Sequence, residues 1–311
     1  MNLARIGRGL TQERRWAVVV LDQSLDDLLD GADPTGLLVH APEPDRFWAD
    51  PFPVRDRQGR LWLFVEELER WRGLGSIVAL RIEPGAGVVQ RRTVLRSRHH
   101  FSFPQVHWWD GVWVATVESC DPMAHTYTFA EVGDPWLASL RTLPVGVIDP
   151  ALAIPPGAPG EEGARWYLTG TSGSDYFAGF RQWQGPDGVG WEEQADLRFR
   201  DPVLARPAGN ADLVRGIRSV QDCSGNYGIA TSIVTWQPGT RGPGEVLRRL
   251  DGADFGRGAV GTHTLAWTPD GATVVADVWQ RGPQKFSAAH RVLEQRHGQF
   301  CPGRRASAAM P

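Results

Sequence analysis

Hydrophobic and polar residues alternate along most of this chain in short runs such as "LWLFVEE", "IVALRI", "VWVATVES" and "RWYLTGT". Alternation with a period of two residues is typical of half-buried β-strands. Gly, Pro and Asp interrupt the runs at close intervals, as turns do between antiparallel strands. Helical periodicity is confined to residues 25–32 and 287–297, which we predict as two short helices. The pattern as a whole predicts an all-β fold.

A longer repeat lies over the alternation. Five segments each begin with an anchor residue and continue as a strand, a turn and a second strand rich in Trp, Tyr or Val; the anchors are Asp50, Pro104, Asp149, Asn210 and His263. A repeat of roughly 50 residues with about four short strands is typical of a β-propeller blade. A β-sandwich is the alternative, but sandwiches rarely give five anchors at similar spacing.

The predicted architecture is therefore a five-bladed β-propeller over residues 14–300, preceded by a lead of residues 1–13. The "RRWAVVVLD" segment at 14–22 comes before the first anchor, and the last repeat has room for fewer strands than the others. Pairing this N-terminal strand with the last blade would close the ring and cover two sheet edges. We predict residues 301–311 as a disordered tail.

Composition excludes several classes of function. The net charge is −3 and the isoelectric point about 6.2, so no strongly basic face is indicated for nucleic acid. The apolar "WAVVVL" stretch is too short for a signal peptide or a membrane span. The three cysteines Cys120, Cys223 and Cys301 lack metal-ligand spacing. We predict a cytoplasmic protein with free thiols, no metal and no cofactor, and the oligomeric state stays open.

Carboxylates recur in Asp-Pro motifs that could carry chemistry. Asp50 lies in "FWADPF", Asp149 in "VIDPAL" and Asp201 in "FRDPVL". The innermost strand of each propeller blade faces the central tunnel, so Asp50, Asp149 and Glu118 of "VESC" are predicted to converge there as catalytic groups. Glycoside hydrolysis uses two such carboxyl groups, one on each side of the scissile bond. The alternative is that each Asp caps a turn; we favour that for Asp201 and leave both interpretations open for Asp50 and Asp149.

Five further residues are candidates for substrate binding. Trp48 lies beside Asp50, and Asp222 and Tyr227 belong to the turn-like "QDCSGNYG" segment. His263 of "GTHTL" could bond a ligand hydroxyl, and Arg206 of "ARPAG" could bind an anionic group such as phosphate or carboxylate. The plain alternatives are a tight turn, a buried structural histidine and a surface arginine.

The succession "FWADPF", "FSFPQV", "VIDPAL", "ARPAGN…QDCSGNYG" and "GTHTL" resembles the five-bladed propeller domain at the N-terminus of glucosamine inositolphosphorylceramide transferases. This resemblance covers about residues 14–282 and lacks the glycosyltransferase domain of those proteins. The chain is similar, more distantly, to the furanosidase-type propellers of the arabinanase, xylosidase and invertase clan. The second resemblance implies Asp50 as base or nucleophile and Asp149 as the residue that tunes the acid.

The acid itself departs from the pattern of that clan. It is normally a Glu, and Glu118 is our candidate, with Glu66 and Glu67 in competition, because none of them lies in an unambiguous acid motif. We therefore predict a glycan- or glycoconjugate-active propeller enzyme, similar to a glycoside hydrolase or transglycosidase. A propeller without catalysis that binds a sugar or a protein, and a small-molecule tailoring enzyme that uses the same pocket, are the alternatives.

Overall fold

The computed structural model describes residues 12–119, 125–144, 146–155, 165–172, 175–186, 188–225, 227–256 and 258–283. Within these ranges the chain forms 22 β-strands and two short helical segments, which confirms the predicted all-β class. The helix α1 (Leu25–Leu29) begins with a Ser24 capping box and confirms the first predicted helix. The helix predicted at 287–297 and the tail at 301–311 lie outside the described residues. No helix within them has the length and apolar character to cross a membrane.

The strands follow one another as antiparallel hairpins in four sheets. The chain begins with β1 (Gln12–Leu21) and β2 (Gly36–Val39). The first sheet contains β3 (Arg46–Arg55), β4 (Leu61–Glu69), β5 (Leu74–Glu83) and β6 (Gly87–Leu95). The second contains β7 (Phe101–Trp109), β8 (Val112–Ser119), β9 (His125–Phe129) and β10 (Leu137–Thr142). The third contains β11 (Val147–Ala153), β12 (Arg165–Ser172), β13 (Gly179–Pro186), β14 (Glu192–Glu193) and β15 (Phe199–Arg200).

The fourth sheet has nine strands in two groups. One group contains β16 (Pro207–Asp212), β17 (Ile217–Asp222), β18 (Ala230–Thr235) and β19 (Val246–Asp251). The other contains β20 (Ala259–Gly261), β21 (Leu265–Trp267), β22 (Val274–Pro283), β1 and β2. A parallel pair, Gly209 with Leu265, joins the two groups. β1 runs antiparallel to β22 from Gln12 opposite Pro283 to Val20 opposite Val275, so the start and the end of the described chain share one group.

Apolar clusters join each strand group to the next along the chain. Rings of the first and second sheets meet where Phe64 lies 5.3 Å from Trp136, measured between centroids. Trp109 of the second sheet meets Trp166 of the third at 5.0 Å. Val18 of β1 belongs to the same cluster as the core of the first sheet. Because large aromatic rings fill these contacts, truncation of one of them to Ala would cost about 3–5 kcal/mol.

The first strands of four groups share one irregularity. The register shifts within β3, β7, β11 and β16 at the residues Asp50, Phe103, Asp149 and Gly209, which all have positive φ angles of 51°, 50°, 48° and 147°. Asp tolerates this region better than most residues, and Gly adopts it freely. In the first three strands a proline follows; it has no N–H, so it leaves no unpaired donor where the ladder is interrupted. The bulge turns these residues away from the regular alternation.

Candidate functional site

Asp50 connects three strand groups through its carboxylate. Oδ2 accepts from the backbone N–H of Phe103, at 3.1 Å, in the second sheet. Oδ1 accepts from Thr264 Oγ1 at 3.0 Å and lies 3.1 Å from His263 Nε2, both just before β21. The Asp50 N–H donates in turn to Asp277 Oδ2 of β22 at 3.0 Å. The bulge in β3 makes this possible because it turns the Asp50 side chain toward the neighbouring groups.

His263 lies between two carboxylates. Its Nδ1 is 2.6 Å from Asp277 Oδ2, which makes a close ion pair. Asp277 Oδ1 accepts from the N–H groups of His263 and Thr264, both at 3.0 Å. Burial alone would lower the pKa of His263, but the charges of Asp277 and Asp50 outweigh it and raise the pKa to about 10. The ring is therefore an imidazolium at neutral pH.

The same ion pairs act on Asp50. Burial opposes ionisation of its carboxyl group, yet the charge of His263 and three hydrogen bonds hold its pKa below the usual value. Asp50, His263 and Asp277 offer a donor set that could suit a cation, with their atoms within 4.8 Å of one another. The contacts of 2.6 and 3.1 Å to the two nitrogens of the imidazolium are those of a direct ion triad instead.

Asp149 forms a second buried group. Its Oδ2 accepts from Arg206 Nε at 2.5 Å and from Gln221 Nε2 at 2.8 Å. Its N–H donates to Glu118 Oε2 at 3.3 Å. Burial raises the pKa of Asp149, the charge of Arg206 lowers it, and the neighbouring Glu118 raises it again, with a result of about 7. Asp149 therefore carries a proton in a large fraction of molecules near neutral pH.

Tyr227 lies between the two groups. Its ring centroid is 5.1 Å from that of His263 and 5.1 Å from the Arg206 guanidinium carbon. Burial raises the pKa of Tyr227 far above its usual value, and the charges of Arg206, Asp149 and Asp50 all act on it. Asp50 and Asp149 thus both lie close enough to act on one phenol, although they come from the first and third sheets.

The structure brings together six of the eight predicted site residues, which are Asp50, Glu118, Asp149, Arg206, Tyr227 and His263. Arg206 and His263 are both buried, so the surface-arginine interpretation was wrong. The turn-cap interpretation is confirmed for Asp201, whose Oδ1 accepts from Val203 and Leu204 N–H at 2.7 and 3.1 Å. The catalytic and binding roles themselves stay predictions.

Two predicted site residues have other contacts. Trp48 is buried in the apolar cluster of the first sheet, and its Nε1 donates to Glu67 Oε2 at 3.0 Å. Asp222 accepts from the N–H of Ser224 at 2.8 Å and from Arg249 Nη2 at 2.7 Å, which is the tight-turn alternative. Trp48 precedes the bulge by two positions and lies on the face that packs, whereas the Asp50 side chain is turned away from it. The binding roles of Trp48 and Asp222 stay predictions.

Sequence reasoning missed Asp277, Gln221, Thr264 and Trp16. Asp277 is the most informative, because it is a fully buried acid in the otherwise apolar "VVADVW" run. Such a residue needs partners, and that signal alone could have identified it. Trp16 of β1 lies 4.0 Å from His263 between ring centroids, so the N-terminal strand also contributes to the site.

Two cavities in the described part of the chain lie away from these groups. One of about 90 Å³ is lined by Leu38, Phe255, Val278 and neighbouring residues. A smaller one of about 10 Å³ lies between Arg46, Arg72 and Arg96. The predicted axial pocket therefore stays a prediction, while the side chains predicted to line it are in contact with one another.

Comparison with known proteins shows a likeness in fold. No protein-family model matches this chain, and no curated protein matches it. An exo-β-1,3-galactanase from Phanerochaete chrysosporium, solved with β-1,3-galactotriose, has 12% identity and a TM-score of 0.50, over 88% of this chain and 67% of that one. A GH43_1 enzyme from Xanthomonas citri, solved with xylotriose, has 14% identity and a TM-score of 0.49, over 77% of this chain and 89% of that one.

At such low identity the likeness concerns the fold alone, and the galactanase carries it. It supports the predicted similarity in fold to furanosidase-type glycoside hydrolase propellers. The resemblance to the propeller domain of glucosamine inositolphosphorylceramide transferases stays a prediction. The chain is thus an all-β protein whose fold is similar to that of propeller glycoside hydrolases.

Proposed function

We propose that this protein is a glycan- or glycoconjugate-active enzyme, of glycoside hydrolase or transglycosidase type, on a five-bladed propeller closed by its N-terminal strand. Three sheets and the two groups of the nine-stranded sheet give five strand groups. The pairing of β1 with β22 supports closure. The fold likeness to a galactanase supports a sugar substrate.

One observation carries the proposal. Asp50 and Asp149 occupy the same left-handed bulge position in the first strands of two sheets, and both are buried in polar networks that include Tyr227. A left-handed φ at a residue other than Gly costs about 1–3 kcal/mol and is concentrated at functional sites. The fold accepts this cost at both carboxylates.

Their protonation states suit the two halves of glycoside hydrolysis. Asp50 has a lowered pKa and is ionised, whereas Asp149 has a pKa raised to about 7 and carries a proton in a large fraction of molecules at neutral pH. Environments that separate the pKa values of two carboxyl groups are those that assign base and acid. Asp50 is then the base or nucleophile, and the Asp149–Glu118 pair supplies the proton to the leaving oxygen.

One acceptor position of the Asp50 carboxylate remains for this role. A carboxylate accepts at about four positions, and Phe103 N–H, Thr264 Oγ1 and His263 Nε2 occupy three of them. The remaining position on Oδ2 can take a proton from water or attack a sugar carbon. The three donors fix its direction and keep it ionised.

The test is turnover of a panel of aryl furanosides and pyranosides by the wild type, Asp50→Asn and Asp149→Asn. We expect each variant to lose at least about 100-fold in kcat, since general acid–base groups contribute about 10²–10⁴-fold. Asp201→Asn is the matched control, because it changes the Asp of an Asp-Pro motif that caps a turn outside the site. Circular dichroism must show that all three variants fold.

One observation favours a propeller without catalysis. The same three donors connect Asp50 to two other strand groups, and a purely structural residue would make such contacts too. On this view the wild type turns over no glycoside in the panel, and Asp50→Asn unfolds while Asp149→Asn remains folded and inactive in the same way as the wild type. That result would contradict the catalytic proposal.

A further inference from the structure

Arg206 is a buried cation that retains unused donors. Its side chain is 6% exposed, and its Nε donates to Asp149. No described residue accepts a hydrogen bond from its Nη1 or Nη2 groups, and neither nitrogen is closed off from the surface. The Nε edge of the guanidinium therefore bonds Asp149, and the N–H groups of Nη1 and Nη2 on the other edge are available to a ligand.

Aromatic rings surround this guanidinium. The ring centroids of Tyr176, Phe177 and Tyr227 lie 5.8, 5.7 and 5.1 Å from its central carbon. Such rings stabilise the cation. The hydroxyl group of Tyr176 is itself buried and has no hydrogen-bond partner among the residues that the structure describes. Buried hydroxyl groups are nearly always bonded, so one without a partner indicates an acceptor that binds there.

We propose that the substrate of this site carries an oxyanion, a carboxylate or a phosphate on the sugar, which Arg206 binds through Nη1 and Nη2 with Tyr176 Oη as a further donor. The planar fork of a guanidinium matches both oxyanions and binds them in a bidentate manner. The inference rests on the proposed glycan-active function and names its substrate class. A neutral sugar would leave these donors unpaired in a buried site.

The charge of the site agrees with an anionic ligand. Asp149 is the acid paired with Arg206, and burial raises its pKa to about 7. Whenever Asp149 holds its proton, the carboxyl group bonded to Arg206 Nε no longer carries a charge that offsets the guanidinium. An oxyanion of the substrate restores the balance and at the same time favours the protonated Asp149 that the proposed chemistry needs.

The test is calorimetric binding to the full chain of matched probes: glucose, glucuronate and glucose 6-phosphate, the galactose counterparts, and inorganic phosphate. We expect a sugar anion to bind about 10- to 100-fold more tightly than its neutral parent, as bonds to a charged group imply. The tighter of uronate and sugar phosphate identifies the oxyanion. Equal affinity for neutral and anionic sugars, or inorganic phosphate that binds as tightly as both sugar anions, would overturn the proposal.

Two variants assign the effect to these residues. Arg206→Lys keeps the positive charge beside Asp149 but loses the fork, and should remove most of the preference for anions. Tyr176→Phe keeps the ring, so it should fold, and should weaken the anionic probe about tenfold with no change for the neutral sugar. Tyr167→Phe is the matched control in β12. An unchanged anion preference in Tyr176→Phe and Arg206→Lys would refute the assignment.

The two proposals fail separately. If neutral aryl glycosides are turned over and anions are not preferred, the proposed enzymatic function stands and the anionic substrate class is refuted. If a sugar anion binds tightly and no substrate is turned over, anionic ones included, the anion-binding site stands and the proposed enzymatic function is refuted.

Discussion

Replacement of Asp277 by Asn tests whether the ion triad holds the strand groups together. Asp277 is fully buried, and each of its oxygens serves two donors. In Asp277→Asn the amide NH₂ must face two of these donors in either orientation. With the oxygen kept toward the N–H groups of His263 and Thr264, the Asp50 N–H loses its acceptor and the imidazolium loses one of its two counterions.

The magnitude follows from these contacts. Removal of one partner from a buried ion pair costs about 3–5 kcal/mol. In a chain of this size each kcal/mol lowers the Tm by roughly 2 °C, so we expect a decrease of about 6–10 °C. His263 can recover part of the loss if it gives up its proton and accepts from the new amide, and for that reason we expect the lower half of the range.

Urea denaturation followed by circular dichroism gives the free energy of unfolding directly. Asp270→Asn is the matched control on the same hairpin, since Asp270 is exposed and bonds Thr268 Oγ1 and Ala272 N–H in the turn. We expect it to stay within about 1 kcal/mol of the wild type. If Asp277→Asn loses no more free energy of unfolding than the control, the ion triad does not hold the strand groups together.

The pH dependence of the difference adds a second criterion. The pKa of His263 is raised in the folded state from 6.5 to about 10, so its contribution to stability is complete below pH 6.5 and disappears as the pH rises through 10. The stability gap between wild type and Asp277→Asn should therefore be largest near pH 6 and shrink toward pH 10. A gap that does not change with pH would mean that charge is not its cause.

Three further predictions follow from the same contacts. Deletion of residues 1–24 should prevent folding at 25 °C, because each large apolar side chain of β1 contributes about 1.5–3 kcal/mol of burial; a truncated protein that melts like the full chain would contradict it. Asp149→Asn should flatten the decline of stability as the pH rises from 4 to 7. A folded-state pKa raised from 3.8 to about 7 gives stability that is present at pH 4 and is lost as the pH rises to 7, and an unaltered slope in urea titrations would contradict the prediction. In a Cys120→Ser, Cys301→Ser background Cys223 should react with a thiol reagent at pH 8 much more slowly in the folded than in the unfolded protein, because burial raises its pKa to about 11, and equal rates would contradict it.

The sequence predicted the elements and six residues of the two buried groups for physical reasons that are local. Alternation, turn residues and the Asp-Pro motifs are properties of neighbouring positions, and they located the strands, α1 and the anchors Asp50 and Asp149, but not the bulges at these anchors. The face on which a side chain lies is also local until a bulge shifts it. Trp48 packs in the apolar cluster of the first sheet because the shift at Asp50 separates the two side chains.

What the sequence could not give are the partners. The Asp50 N–H bonds an acid 227 positions away, and no local pattern relates the two residues. The aromatic surroundings of Arg206 come from Tyr176, Phe177 and Tyr227, which no repeat aligns. Such contacts depend on how strand groups approach one another, and this is set by packing over the whole chain.

The pairing of β1 with β22 has a consequence for synthesis on the ribosome. About 250 residues separate the two strands, and at about 5–20 residues per second the ribosome takes roughly 13–50 s to deliver the second one. During that time β1 exists without β22, as an apolar strand with a free edge of the kind that recruits other chains. Trp16 leaves the ribosome long before His263 does, so their contact, and with it the site, forms only after both strands have been made. We expect the yield of folded protein to depend on how well β1 is protected during this interval.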